Sequence, residues 1–151
     1  MSLSKAVELA GRYHGGLNHE RAEQLEKNGN PYLLHPLRVM LSLETPEERM
    51  AGVLHDVIED TDGEATDLRA AGIPDAVITA VELLTRDATN KDPAYYDEYI
   101  AKIASNPIAR RVKLADLSDN MNIKRLPNEL TVKDLARLAK YHRVWRKLSD
   151  G

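Results

Sequence analysis

Proline placement constrains this chain more than any other feature. Of seven prolines, five (Pro36, Pro46, Pro74, Pro93 and Pro107) stand at the head of stretches whose apolar residues recur with helical spacing. Proline has no N–H to donate and a φ already close to helical, so it suits the first turn of a helix and disrupts the interior of any regular element. Side chains that cap the first N–H groups accompany three of them: Asn106-Pro107, Asp92-Pro93, and Thr45-Pro46-Glu47-Glu48, the last with the pattern of a capping box. No stretch alternates apolar and polar residues with the period of two that a half-buried strand needs. The expected fold is therefore all-α.

The helices read as about Leu3 to Tyr13, Asn18 to Lys27, Pro36 through Leu41, and Pro46 through Asp60. Further ones follow at Glu64 to Ala71, Pro74 to Arg86, Asp92-Pro93 past Ile103, Asn106-Pro107 to Arg125, and Thr131 to Leu148. Asn28-Gly29 has charged, non-alternating flanks and reads as a loop rather than a hairpin. Because the residue before proline is pushed out of the α region, His35 is expected at the mouth of the helix that Pro36 opens. In the last helix Leu135, Leu138, Val144 and Trp145 are expected to form the apolar stripe.

Phenylalanine is absent and aromatics are 5% of the chain, so the core must be Leu, Val, Ile, Met and Ala, which suits packed helices. A length of 151 residues supports one core and one domain, with a motif-bearing part at about 5–126 and a C-terminal helix at about 131–148. The formal net charge of -3 argues against a nucleic-acid binder. Without cysteine, any metal must be held by His, Asp or Glu. No apolar run approaches a membrane span, and Met1-Ser2-Leu3-Ser4-Lys5 lacks the apolar centre of a signal peptide, so a cytoplasmic protein is expected. Charge is uneven: residues 44–67 hold nine acids and one Arg, whereas 131–148 hold six Lys or Arg and one Asp. That polarity could guide an anionic substrate or simply mark a solvated basic helix.

His55-Asp56-Val57-Ile58-Glu59-Asp60 puts an imidazole and three carboxylates on one helical arc, opposite Met50, Leu54, Val57 and Ile58. Taken alone it is either a solvated acidic face or a place for a cation that relieves the repulsion. Gly52 lies in the charged arc, where its use would be to leave room above the acids. On the helix after Pro107, Arg111, Ser118 and Arg125 define an outer face, and Asp116 points the other way, with Asn120 one turn on. An inward acid needs a partner, either Lys113 or a metal. His35, His55, Asp56 and Asp116 together supply two imidazoles and two carboxylates from three helices. His14, His19 and His142 have nothing like a ligand set near them.

These stretches, His35-Pro36-Leu37, then His55 to Thr61, then Val112-Lys113-Leu114-Ala115-Asp116 with Asn120-Met121, resemble the HD superfamily of metal phosphohydrolases. Within it the likeness is to the hydrolase domain of the RelA/SpoT alarmone enzymes and their small stand-alone relatives. Lys27, Gly29, Pro31 and Tyr32 are similar to the loop ahead of the first ligand, and Tyr141 gives a looser match in the last helix. The resemblance implies an HD-type helical bundle, a Mn²⁺ ion held by His35, His55, Asp56 and Asp116, and Glu59 and Asp60 acting on the attacking water. Donor chemistry alone leaves Fe²⁺ and Zn²⁺ open. It further implies release of pyrophosphate from the ribose 3′ position of guanosine tetra- or pentaphosphate, with Lys27, Asn120 and Tyr141 contacting substrate. With no synthetase segment after it, the chain is expected to be monofunctional. The sequence departs from the family at Glu26, where an Arg is usual, at Leu117-Ser118-Asp119, and at Ile123. Those departures leave two alternatives: hydrolysis of another nucleotide such as an adenosine 3′-pyrophosphate, or an alarmone-binding module without catalysis.

Overall fold

The computed structural model describes residues 2–15 and 22–150. Among them all regular structure is helical apart from one isolated antiparallel bridge between Leu25 and Pro31. The helices are α1 (Leu3–His14), α2 (Leu34–Leu41), α3 (Pro46–Leu54), α4 (Val57–Asp60), α5 (Ala65–Ala70), α6 (Asp75–Leu84), α7 (Tyr95–Ala104), α8 (Pro107–Asn120) and α9 (Val132–Ser149), with a 3-10 turn at Ile123–Arg125 before the last.

α3 is the hub. It packs against α1, α2, α6 and α8, and Met50, Ala51, Val53 and Leu54 are all buried. The expected capping box holds it at the start: Thr45 accepts from the Glu48 N–H while the Glu48 carboxylate accepts from the Thr45 N–H, both at 3.2 Å. Gly52 serves α3 differently from the expectation. A Cβ there would lie 2.6 Å from Leu43 Cδ1 and 3.4 Å from Met40 Cα, so the glycine lets α2 close on α3 rather than clearing space above the acids.

Several boundaries differ from the sequence reading, each for a local reason. The expected helix at 18–27 lies outside the described residues up to 21, and from 22 to 27 the chain is not helical, with one isolated bridge at Leu25. Glu26 N–H donates to Asn30 at 2.7 Å and Gly29 has φ 84°, so Asn28-Gly29 turns a short hairpin-like loop after all. Helix α2 begins at Leu34, which puts His35 inside its first turn; Pro36, third in the helix, costs nothing because its N–H would have had no intrahelical partner. The expected helix over 46–60 is interrupted at His55-Asp56. α8 ends at Asn120 instead of 125, since Asn122 caps the 3-10 turn by accepting from Lys124 N–H. In α9 the buried residues are Val144 and Leu148, and Leu135 is exposed.

Candidate active site

The break at His55-Asp56 aims two side chains that a straight helix would hold less freely. His55 Nδ1 donates to the Gly52 carbonyl at 2.6 Å, and a carbonyl can only accept, so Nδ1 carries a proton and Nε2 is the nitrogen turned inward. That buried Nε2 makes no hydrogen bond of good geometry, although it lies 3.0 Å from Asp56 Oδ2 and 3.4 Å from Asp116 Oδ1. His35, from α2, follows the same rule: Nδ1 meets Asp119 Oδ2 at 2.6 Å, and Nε2 lies 3.0 Å from Asp116 Oδ1 and 3.7 Å from Asp56 Oδ2. The two rings meet edge to face with centroids 5.2 Å apart.

Four acceptor atoms from α2, α8 and the α3–α4 junction thus converge, and acceptors packed so closely repel unless a positive charge sits among them. The titration directions say the same. Burial opposes charging of both imidazoles, yet for His35 the bonds to Asp116 and Asp119, and for His55 the charge of Asp56, outweigh it and raise their pKa values. Burial likewise works against ionised Asp56, but the His55 charge draws it down to about 2. His35, His55 and Asp116 present ligand atoms within 4.8 Å of one another, and Asp56, Glu59 and Asp60 do so as well, so the donors fit a divalent cation.

Asp116 divides its two oxygens between the partners that the sequence left as alternatives. Oδ2 takes the Lys113 ammonium at 3.0 Å, while Oδ1 faces the histidines and accepts from Asn120 Nδ2 at 3.0 Å. A lysine and a cation are therefore compatible here. Tyr32 hydroxyl donates to Asp56 Oδ2 and lies 3.4 Å from Asp60 Oδ2. Glu59 Oε1 accepts from the Arg86 N–H at 2.6 Å. Burial raises the pKa of Glu59; burial and then the charges of Asp56 and Glu59 push Asp60 up to about 6.

The cluster opens into a cavity of about 360 Å³ that the basic residues Arg86, Lys113, Arg137 and Lys140 also line. A second cavity of about 250 Å³ adjoins it, lined by Lys27, Leu126 and Leu138 among others. Tyr32, Asn120, Arg137 and Tyr141 border both. All nine sequence-predicted site residues therefore line these two cavities: the four metal candidates with Glu59 and Asp60 in the first, Lys27 in the second, Asn120 and Tyr141 at the wall between. The basic face of α9 contributes directly through Arg137 and Lys140.

Other residues were not legible. Arg125, expected on the outer face, folds inward from its 3-10 turn to Glu26 at 2.7 Å and to Asp119 at 2.8 Å. Glu26 also takes Arg38 at 2.8 Å, so this departure from the family pattern is a structural ion pair. Asp119, read as a departure, bonds to His35; its i+3 spacing from Asp116 was the available signal. Arg86 reaches the site through a loop path that no spacing encodes, and Tyr32, singled out only through the resemblance of its loop, does so as well. His14 is a fully buried histidine held to Gln24 at 2.6 Å, and its ring packs on Tyr32 at 5.2 Å between centroids. His19 lies outside the described residues.

No protein-family model matches the chain. It is 34% identical over 132 residues to a protein of Streptomyces coelicolor named GTP pyrophosphokinase, covering 82% of this chain and 15% of that one. It is 32% identical over 127 residues to a protein of Aquifex aeolicus named guanosine-3′,5′-bis(diphosphate) 3′-pyrophosphohydrolase, covering 79% of this chain and 17% of that one. The chain thus spans about a sixth of the length of these curated relatives. Among solved structures, a metazoan orthologue of SpoT described as hydrolysing ppGpp superposes with a TM-score of 0.74 at 22% identity, covering 97% of this chain and 84% of that one. The chain belongs with the RelA/SpoT alarmone enzymes, sharing an all-helical HD-type domain with them.

Proposed function

We propose that this chain acts as one HD-type domain that, with a divalent metal, hydrolyses guanosine tetra- or pentaphosphate and releases pyrophosphate from the ribose 3′ position. The observation that carries the reading is the pair of imidazoles whose Nδ1 protons are both taken up from behind, leaving two Nε2 atoms and two carboxylates facing one point in a cavity that basic residues also line. The names of the relatives supply the substrate class. Mn²⁺ is the ion we assign, and the cytoplasm the compartment. Among the described residues no helix is long and apolar enough to cross a membrane.

His35, His55, Asp56 and Asp116 would hold the ion, which when bound acidifies water and screens phosphate charge. Water adds to the phosphorus on the ribose 3′ oxygen, that P–O bond breaks, and the 3′ oxygen leaves with a proton taken up from solvent. Asp60, with a pKa of about 6, is suited to accept the water's proton near neutral pH, and Glu59 beside it to pass the proton to solvent. Lys113, Arg86 and Lys140 face the phosphates. Asn120 and Tyr141 border the place where the ribose must lie if the base enters the second cavity, with Lys27 at its edge.

The test is pyrophosphate release by purified protein with Mn²⁺, using guanosine and adenosine 3′-pyrophosphates side by side. Glu59→Gln and Asp60→Asn should each lower kcat by a factor of about 10²–10⁴ while bound metal stays near one per chain. Turnover of the adenosine compound alone would sink the guanine assignment and leave the reaction class standing. Alarmone binding without turnover under any metal would favour the binding-module alternative.

A further inference from the structure

Asp119 lies three residues beyond Asp116 on α8, with its side chain 9% exposed, and it touches no metal-facing atom. Its Oδ2 accepts from His35 Nδ1 at 2.6 Å and from Arg125 Nη1 at 2.8 Å, and its Oδ1 accepts from Arg38 Nε at 2.8 Å. Glu26 Oε1 joins the same two arginines from the other side, at 2.8 and 2.7 Å. Two stretches distant in sequence, 26–38 and 119–125, thus close a ring of two acids and two guanidinium groups against the back of one imidazole.

An ion-pair ring would stabilise the fold wherever it lay. What sets this one apart is a second contact to the same nitrogen: Arg125 Nη1 is 3.2 Å from His35 Nδ1. A guanidinium can only donate, and an ionised carboxylate flanked by two arginines can only accept. The two neighbours therefore demand opposite tautomers. With Asp119 as partner, Nδ1 carries the proton and Nε2 offers its lone pair to the cavity. With Arg125 as partner, Nδ1 is the acceptor and the proton moves to Nε2, where it blocks coordination.

We propose that Asp119 is a positioning residue that fixes the tautomer of His35 against the pull of Arg125, so that Nε2 is free for the metal. This rests on the metal site of the proposed function, and removing Asp119 does more than delete a hydrogen bond: it hands Nδ1 to the competing donor. Carboxylates behind ligating histidines commonly carry a factor of about 10–100 in metal affinity. The size of the effect here should depend on whether Arg125 is present.

The experiment is titration of the full chain with Mn²⁺ in the absence of nucleotide, for wild type, Asp119→Ala, Asp119→Glu, Arg125→Met and the double variant Asp119→Ala/Arg125→Met. Circular dichroism confirms that each is folded. Asp119→Ala should weaken Mn²⁺ binding by about 10–100-fold, Asp119→Glu should recover most of it, and Arg125→Met alone should stay within about threefold. The double variant should bind Mn²⁺ more tightly than Asp119→Ala, the reverse of what two parts of a purely structural ring would give. Imidazole ¹⁵N spectra of the Zn²⁺-loaded wild type should assign His35 as protonated on Nδ1 and ligating through Nε2. A double variant as weak as Asp119→Ala or weaker, or Mn²⁺ binding unchanged in Asp119→Ala, overturns the proposal while the metal site stands. Failure of the wild type to bind Mn²⁺ overturns both. Failure to turn over nucleotide touches the proposed reaction only.

Discussion

At the scale of single residues the site is organised by which lone pairs are already used. His55 Nδ1 is committed to a backbone carbonyl, His35 Nδ1 to a carboxylate, and Asp116 Oδ2 to Lys113, so the atoms left over are those that face the centre. His14 shows the opposite case, a histidine kept neutral. Burial lowers its pKa from the usual 6.5 against the pull of Gln24, and its buried Nε2 has no hydrogen-bond partner. A depressed folded-state value means the unfolded chain binds more protons, so this contribution is complete above about 6.5 and is lost as pH falls toward the folded value. Asp60 and Glu59, raised, act in the other direction in the same window and are common to any His14 variant. The thermal midpoint of wild type minus that of His14→Gln should therefore shrink as pH falls from 7.5 to 5. A difference constant across that range would show that burial leaves the His14 pKa where it is in the unfolded chain.

At the scale of elements, the decisive feature is the joint between α3 and α4. The sequence reads there as one helix because both halves have helical periodicity, and the backbone at His55 and Asp56 is indeed still in the α region. What interrupts the ladder is the set of bonds these side chains make outside it, to Gly52 and to Tyr32. Gly52 does two jobs at this joint, giving its carbonyl to His55 and its missing side chain to the α2–α3 contact. Gly52→Val should destabilise the protein by about 2–3 kcal/mol, because the added methyls meet Leu43, which is buried and cannot swing into solvent, and the Met40 backbone. Denaturant unfolding checks this. A loss under about 0.5 kcal/mol would show that α2 can retreat from α3 without cost. Because α2 carries His35, the same variant should also weaken metal binding.

At the scale of the molecule, three helical segments and a loop hold opposing charges that favour a cation at their meeting point. A ligand that binds only the folded state stabilises by mass action, about 2.7 kcal/mol at a hundred times its Kd. For a domain of this size that corresponds to about 5–10 °C in Tm. Mn²⁺ at that excess should raise Tm by this amount over chelator-treated protein, and Asp116→Ala should abolish the shift. An equal shift in the variant would place the stabilising ion elsewhere. The uneven charge of the chain also acts at this scale: α9 brings Arg137 and Lys140 over the acidic cluster, so the two halves of the asymmetry face each other across one cavity.

What the sequence determined by itself was the helical class and most helix starts, with four candidate metal ligands singled out, because proline, capping side chains and the 3.6-residue period act locally and mark positions directly. The metal candidates were readable since an inward Asp116 is costly without a partner and acids crowded with His55 on one arc repel without a cation, and both costs are visible before any fold is known. Only the tertiary structure decided the rest. Glu26, Arg125 and Asp119 looked like departures or surface charges, and became a ring around His35 once α2, α8 and the turn after α8 came together. Arg86 joined the site in the same way. Partnerships between charges 80 to 100 residues apart depend on where each helix ends and the next begins, and ending α8 at Asn120 takes Arg125 out of the helix's register and lets it face inward.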